Sequence, residues 1–225
     1  MKMAVLPRDI KEFEISLSRI KGLYGITPDS TDTADLIQRT RLALAGGMQV
    51  LQYRNKVADS ALRLTQARAL RSLCGECGVT FIVNDDAQLA ATADADGVHL
   101  GATDGEVQAA RTLLGRDKLI GVSCYNQLAV AQEAVEAGAD YVAFGAFYSS
   151  SVKPNAAVAT LGLLREARAT INLPIVAIGG IEAANGATLV DAGADALAVI
   201  SAVFGAADIK QAAQDLTKLF GKESV

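Results

Sequence analysis

One histidine, three cysteines, no tryptophan and 5% aromatic residues narrow the field before any pattern is read. With His99 alone, hydrolysis by a histidine relay is disfavoured. Cys74, Cys77 and Cys124 cannot all pair, and an odd count does not suggest a disulfide framework. Cys74 and Cys77 have C-x-x-C spacing, but they follow a helix-like stretch and no second pair completes a four-ligand zinc site. There is no run of Lys or Arg: 21 basic against 25 acidic residues give a formal charge of −4. Neither nucleic acid nor an anionic membrane surface finds an electrostatic footprint here, so neither is an expected partner. Residues Met1 to Arg19 are mixed polar and charged, with neither the apolar centre of a signal peptide nor a span long enough to cross a bilayer. A cytoplasmic protein is expected.

What is present is apolar and repetitive. The chain has 225 residues, 51% of them hydrophobic, and 20 glycines, which suits one α/β domain with one large core. Strand-like runs occur at Leu23 to Thr27, Met48 to Tyr53, Thr80 to Val83, Gly97 to Leu100, Leu119 to Ser123, Tyr141 to Gly145, Ile175 to Gly179 and Ala196 to Ile200. Between them lie Ala- and Leu-rich segments with helical spacing, such as Leu128, Val130, Ala131, Ala134 and Val135. Nearly all-apolar strands each followed by a helix imply a parallel sheet covered on its outer face, and eight such units imply a single (β/α)8 TIM barrel. The expected division is an amino-terminal extension, residues 1–22, carrying a short helix from about Asp9 to Ile20, and a barrel over residues 23–225. Glu136 to Ala143 is echoed by Asp191 to Ala198 and more weakly by Thr92 to Val98; in each a helix ends, glycine turns the chain and a strand begins. These joints belong to the bottom of the barrel and should concern stability.

In such a barrel the site lies where the strands end. Arg54 and Lys56 lie two apart after the second strand and share a side with Gln52, a pairing that suits an anion such as phosphate; solvated loop charges are the alternative. The third strand runs Thr80-Phe81-Ile82-Val83 and then switches to Asn84-Asp85-Asp86. Asp85 and Asp104 follow neighbouring strands, and two carboxylates with open positions left for water and phosphate commonly hold Mg²⁺. The competing role for Asp85 or Asp86 is to cap the helix beginning near Ala87. Gly179-Gly180 after strand seven and Ser201-Ala202 after strand eight occupy the two places where barrels cradle a phosphate with backbone N–H groups. The long loop from Ala146 to Ala156 adds three serines and Lys153, which can wrap a phosphate. His99 is either an acid or base or a packed structural group. These residues describe two anion sites, hence two phosphorylated substrates or one doubly phosphorylated one.

The order and spacing of these motifs resemble the thiamine phosphate synthase (thiamine-phosphate pyrophosphorylase) family. The resemblance runs through Gln52-Tyr53-Arg54-x-Lys56, Ile82-Val83-Asn84-Asp85, Gly97-Val98-His99-Leu100-Gly101 with Asp104, Gly121-Val122-Ser123, Gly145 through Lys153, Ile178-Gly179-Gly180-Ile181 and Ile200-Ser201-Ala202. It implies a Mg²⁺-dependent coupling of hydroxymethylpyrimidine diphosphate with hydroxyethylthiazole phosphate. Carried over, Gln52, Tyr53, Arg54, Asn55, Lys56, Asn84, Ser123 and Lys153 would hold the pyrimidine diphosphate, with Arg54, Lys56, Ser123 and Lys153 stabilising the leaving group and positioning the substrate. Asp85 and Asp104 would bind Mg²⁺; Ser150, Ser151, Val152, Gly180, Ile200 and Ser201 would surround the thiazole phosphate. The strand-six loop departs from the family pattern at Ala146, Ser149, Ser150 and Val152, and Asn55 stands where glutamate is usual. A thiazole tautomerase of the same barrel family, which needs a base but no metal pair, and a non-catalytic phosphate-binding protein are the alternatives. The sequence leaves a homo-oligomer open.

Overall fold

Eight short parallel strands close on themselves in chain order in the computed structural model, which describes residues 19–101, 104–148 and 158–221. They are β1 (Gly22–Ile26), β2 (Val50–Tyr53), β3 (Thr80–Asn84), β4 (Gly97–Leu100), β5 (Leu119–Tyr125), β6 (Tyr141–Gly145), β7 (Ile175–Ile178) and β8 (Ala196–Val199). Pairing of β8 with β1, Ala196 opposite Gly22 and Val199 opposite Gly25, completes the ring. The helices that follow the strands are α1 (Thr33–Ala45), α2 (Ser60–Cys77), α3 (Ala87–Thr92), α4 (Val107–Leu114), α5 (Leu128–Glu136), α6 (Leu161–Thr170), α7 (Ala187–Asp191), α8 (Ser201–Phe204) and α9 (Ile209–Thr217). The architecture is the TIM barrel that the sequence implies. The expected amino-terminal helix lies, apart from Arg19 and Ile20, outside the described residues.

Period-two alternation divides the strands' side chains into two layers. Leu51, Phe81, Val83, Val98, Ile120, Val142, Phe144, Ile175, Ala177 and Leu197 face outward and pack on the helices. Tyr24, Ile26, Val50, Ile82, Leu119, Tyr141, Ala143, Val176, Ala196 and Ala198 fill the interior, with Ile20 packed in the same cluster. At about 25 cal/mol per Å² of apolar surface removed from water, the outer layer, which is much the larger, supplies most of the driving force for closure.

The helices begin where the sequence supplies a capping oxygen. Asp32, Asp59, Asp86, Thr160 and Asp208 each accept the backbone N–H of the third residue on, which satisfies one orphan donor of the helix and contributes about 1 kcal/mol.

At the bottom of the barrel the repeated joints have a shared chemistry. Asp96, Asp140 and Asp195 each accept a backbone N–H from the first or second residue of the preceding strand, from Phe81 at 2.8 Å, Ile120 at 2.7 Å and Ile175 at 2.7 Å. Each also pairs with an arginine: Arg19, Arg111 and Arg168 respectively. Asp140 and Asp195 thus each join two neighbouring strands and a helix, and Asp96 joins its two strands to the segment before β1, which is why the motif recurs at the stability end and not at the rim.

Candidate active site

The strand ends open onto a cavity of about 560 Å³. Its apolar walls are Ile26, Ala143, Val176, Ile178 and Ala198, and polar groups enter from Gln52, Arg54, Asn84, His99, Ser123 and Ser201. That combination, a mostly apolar hollow with a few converging polar groups, is what a small-molecule site requires.

On one side lies a charged rim. Thr27, just past β1, donates its hydroxyl to the carbonyl of Arg54 at 2.8 Å and accepts the Arg54 N–H at 2.9 Å, so the loop after β2 is held by its main chain. Asp29 accepts from the Arg54 guanidinium at 3.2 Å and from the Lys56 N–H at 2.7 Å. The ammonium of Lys56 reaches the next strand's end and pairs with the Asp85 carboxylate. Asp85 sits at φ 65°, in the left-handed region that aspartate tolerates better than most side chains, and its N–H bonds the His99 carbonyl at 2.8 Å. The same chain reversal leaves Asp86 pointing the other way, to cap α3 at Leu89 and pair with Arg63. The division of labour between the two carboxylates is therefore made by the backbone.

The Asp104 carboxyl lies within interaction range of that of Asp85, and Gly101 donates its N–H to the Asp104 carboxyl at 2.8 Å. Burial pushes the Asp85 carboxyl upward in pKa, but Lys56 and the contact with Asp104 outweigh it and hold it below the usual carboxylate range. Asp104 moves the other way, raised by partial burial and by the neighbouring Asp85. Two carboxyls this close, one low and one high, form a pair that a cation between them would relieve.

Beneath the rim, five inward-facing groups form a chain across the barrel. The Gln52 amide donates to the Tyr24 hydroxyl at 2.8 Å, Tyr24 meets the Tyr141 hydroxyl at 3.0 Å, Tyr141 meets His99 Nδ1 at 3.1 Å, and His99 Nε2 meets Ser123 Oγ at 2.9 Å. The Tyr141 ring has room because the strand beside it carries Gly121: a Cβ there would fall 2.0 Å from the Tyr141 Cζ. Burial drives the His99 pKa down to about 4, against an upward pull from Asp85, so the imidazole is neutral at physiological pH. Both phenols are pushed up by burial and stay protonated.

On the opposite side, Gly179 (φ 105°) and Gly180 (φ 62°) form the turn after β7, and Ile200 and Ser201 follow β8. A Cβ at Gly179 would lie 2.4 Å from that of Ala146, so this turn both needs the left-handed conformation and packs against the β6 loop. The Gly180 carbonyl accepts from Asn185 at 3.0 Å, which ties the turn down.

Of the residues singled out in the sequence, Gln52, Arg54, Asn84, Ser123, Gly180, Ile200 and Ser201 line the cavity, while Lys56, Asp85 and Asp104 meet at its rim. Tyr53 and Asn55 differ from expectation. Gln52 faces inward, so Tyr53 faces outward, where it is 1% exposed and donates to Gln66 at 2.8 Å. The Asn55 amide turns back onto the Ser30 carbonyl at 2.6 Å and Gln66 at 2.9 Å, both contacts made by donation, which a glutamate cannot supply. Their side chains shape the cationic loop from behind. Ser150, Ser151, Val152 and Lys153 lie outside the described residues. Sequence reading missed Thr27 and Asp29, whose signal was a polar group and a carboxylate at the end of the first strand, and Tyr24 and Tyr141, which read as core.

Comparison with known proteins agrees with this geometry. Residues 23–203 match the family model described as thiamine monophosphate synthase. The thiamine-phosphate synthase of Methylobacillus flagellatus is 54% identical over 205 residues, covering 91% of this chain and 98% of that protein. That of Thiobacillus denitrificans is 52% identical over 202 residues, covering 90% and 96%. Among solved structures, thiamine phosphate pyrophosphorylase from Pyrococcus furiosus superposes with a TM-score of 0.81 at 34% identity, over 91% of this chain and 96% of that one. The chain belongs to the thiamine monophosphate synthase family.

Proposed function

We propose that the chain joins hydroxymethylpyrimidine diphosphate to hydroxyethylthiazole phosphate, giving thiamine phosphate and diphosphate. The observation that carries this reading is the placement of Arg54, Lys56, Asp85 and Asp104 on one rim, above an interior whose titratable groups are neutral. The rim suits a departing polyanion, and the interior suits an uncharged heterocycle.

The chemistry asks for little acid or base work. The bond from the pyrimidine methylene to the diphosphate oxygen breaks, and its electron pair leaves with the diphosphate. The electron-rich aminopyrimidine ring stabilises the carbocation, and the thiazole nitrogen lone pair forms the new carbon–nitrogen bond. Arg54 and Lys56 neutralise the developing charge on the leaving group, and Asn84 and Ser123 hold the substrate from the ends of β3 and β5. Lys153 belongs to the same reading as a further cation. Asp85 and Asp104 would hold Mg²⁺, which when bound supplies additional charge neutralisation on the diphosphate. The fit rests on the chemistry of the donor set, two carboxyls brought together from the ends of neighbouring strands with one of them facing Lys56. Across the cavity, Gly180, Ile200 and Ser201 would receive the thiazole phosphate; Ser150, Ser151 and Val152 belong to the same reading through the family resemblance.

The Asp85 and Asp104 pair speaks against a tautomerase, whose reaction needs a base but no metal pair, and both His99 ring nitrogens are already engaged by hydroxyls. A cytoplasmic setting belongs to the proposal; among the described residues no helix is long and apolar enough to cross a membrane, and Cys74, Cys77 and Cys124 are free thiols. The direct test is a purified-protein assay with both substrates, with and without Mg²⁺. Metal-dependent diphosphate release that requires the thiazole supports the synthase, and release that ignores the thiazole contradicts it.

A further inference from the structure

The chain of five groups from Gln52 to Ser123 has a property that none of its members has alone. Each internal link holds one proton, and the three middle groups, Tyr24, Tyr141 and His99, are buried. A neutral imidazole has one N–H, so if one ring nitrogen donates, the other accepts. Any link that reverses independently leaves a buried hydroxyl pointing at another donor or an acceptor facing an acceptor, a loss of about 1–3 kcal/mol. Only two orderings satisfy every link. In the first, Gln52 donates to Tyr24, Tyr24 to Tyr141, Tyr141 to His99 Nδ1, and His99 Nε2–H to Ser123. Gln52 then offers a carbonyl to the cavity, and Ser123 offers its hydroxyl hydrogen. In the second every proton is reversed and the Gln52 amide is turned over. Gln52 then offers N–H groups, and Ser123 offers only lone pairs.

We propose that His99 is a positioning residue that, with Tyr24 and Tyr141, fixes the first ordering, so that Gln52 and Ser123 act as one unit across the barrel and select a heterocycle with a donor at one end and an acceptor at the other. One observation favours the first ordering: the Gln52 amide nitrogen faces the Tyr24 hydroxyl at 2.8 Å. The hydroxyl partners on both ring nitrogens, 3.1 Å from Nδ1 and 2.9 Å from Nε2, are what either ordering needs and make the chain continuous. Gly121 makes the link possible by leaving space for the Tyr141 ring, which lies over the imidazole with centroids 5.4 Å apart. The role assigned to the ligand rests on the proposed synthase reading: an aminopyrimidine offers an exocyclic amino donor and ring-nitrogen acceptors. The ordering itself does not rest on that reading.

Because His99 is the only histidine, its ring can be read directly by ¹⁵N NMR in the ligand-free, full-length protein labelled at histidine. The expected spectrum is a single neutral Nε2–H tautomer at pH 7. An Nδ1–H tautomer, or an averaged mixture of the two, overturns the first ordering whatever the enzyme does. The coupling is tested by steady-state kinetics on Gln52→Met, Ser123→Ala and the double variant, each in the wild-type and Tyr141→Phe backgrounds. In the wild-type background the losses in kcat/KM for the aminopyrimidine diphosphate should be non-additive by about tenfold. With the link removed by Tyr141→Phe they should multiply independently. Additive losses in both backgrounds overturn the coupling. A melting temperature for each variant separates a folding defect from either outcome, and His99→Gln, which keeps a donor and an acceptor, should retain more activity than His99→Phe.

Discussion

Lys56 at the end of β2 and Asp85 at the end of β3 form an ion pair across the rim of the barrel, and Asp85 reaches it only because its backbone turns to φ 65°. Under the proposed function, the pair would place a cation where a departing diphosphate needs one and a carboxylate where a metal would join it. It is half exposed on the lysine side, so its contribution to folding is small, within the 0–1 kcal/mol of surface pairs. Its arrangement is explained by chemistry at the rim better than by stability.

Asp29 holds the Arg54 guanidinium and the Lys56 main chain. Asp29→Ala should raise the KM for the diphosphate substrate about tenfold through loss of orientation, with a change in unfolding free energy no larger than ~1 kcal/mol. Kinetics and urea denaturation of the same preparation check both halves.

Much of this was legible beforehand, and the parts that were not have physical reasons. The eight strands and the bottom joints follow from apolar runs and Ala-Gly-Ala-Asp turns, because those patterns are local. The split between Asp85 and Asp86 required the backbone turn between them. Tyr24 and Tyr141 lie 117 residues apart in apolar strands; nothing short of barrel closure brings their hydroxyls together. Tyr53 is the instructive case. Strand alternation from Gln52 already directs its ring outward, and the resemblance, which treats Gln52 to Lys56 as one block, overrode that signal.

Acid should expose the cost of the buried imidazole. His99 has its pKa lowered to about 4 from 6.5, so between those values the unfolded chain binds a proton that the folded one refuses. The stability is fully present above pH 6.5 and is lost as the pH falls towards 4, by ~3 kcal/mol in all. Between pH 7 and 4 the metal-free wild type should lose that much more unfolding free energy than His99→Gln. Equal losses contradict the burial account.

Gly121→Ala would put a Cβ 2.0 Å from the Tyr141 ring. The ring must move, with a destabilisation of about 1–3 kcal/mol. The His99 ¹⁵N signals should change with it, because Nδ1 loses its hydroxyl partner.

Asp140 is 3% exposed, bonds the Ile120 N–H and pairs with Arg111 at the far end of the barrel from the cavity. Asp140→Ala should cost about 3–5 kcal/mol, as breaking a buried pair does. The folded fraction, measured below the new melting transition, should keep the wild-type KM for both substrates.

The central claim is that the Lys56–Asp85–Asp104 rim supports departure of the diphosphate. The most direct measurement is the rate of thiazole-dependent diphosphate release by Asp85→Asn as Mg²⁺ is titrated, with circular dichroism to establish that the fold is kept. The account predicts that kcat/KM falls by about a hundredfold or more, in line with removal of one charge-stabilising group, and that the Mg²⁺ concentration needed for half-maximal rate rises. Near-normal turnover at the wild-type Mg²⁺ requirement would contradict it.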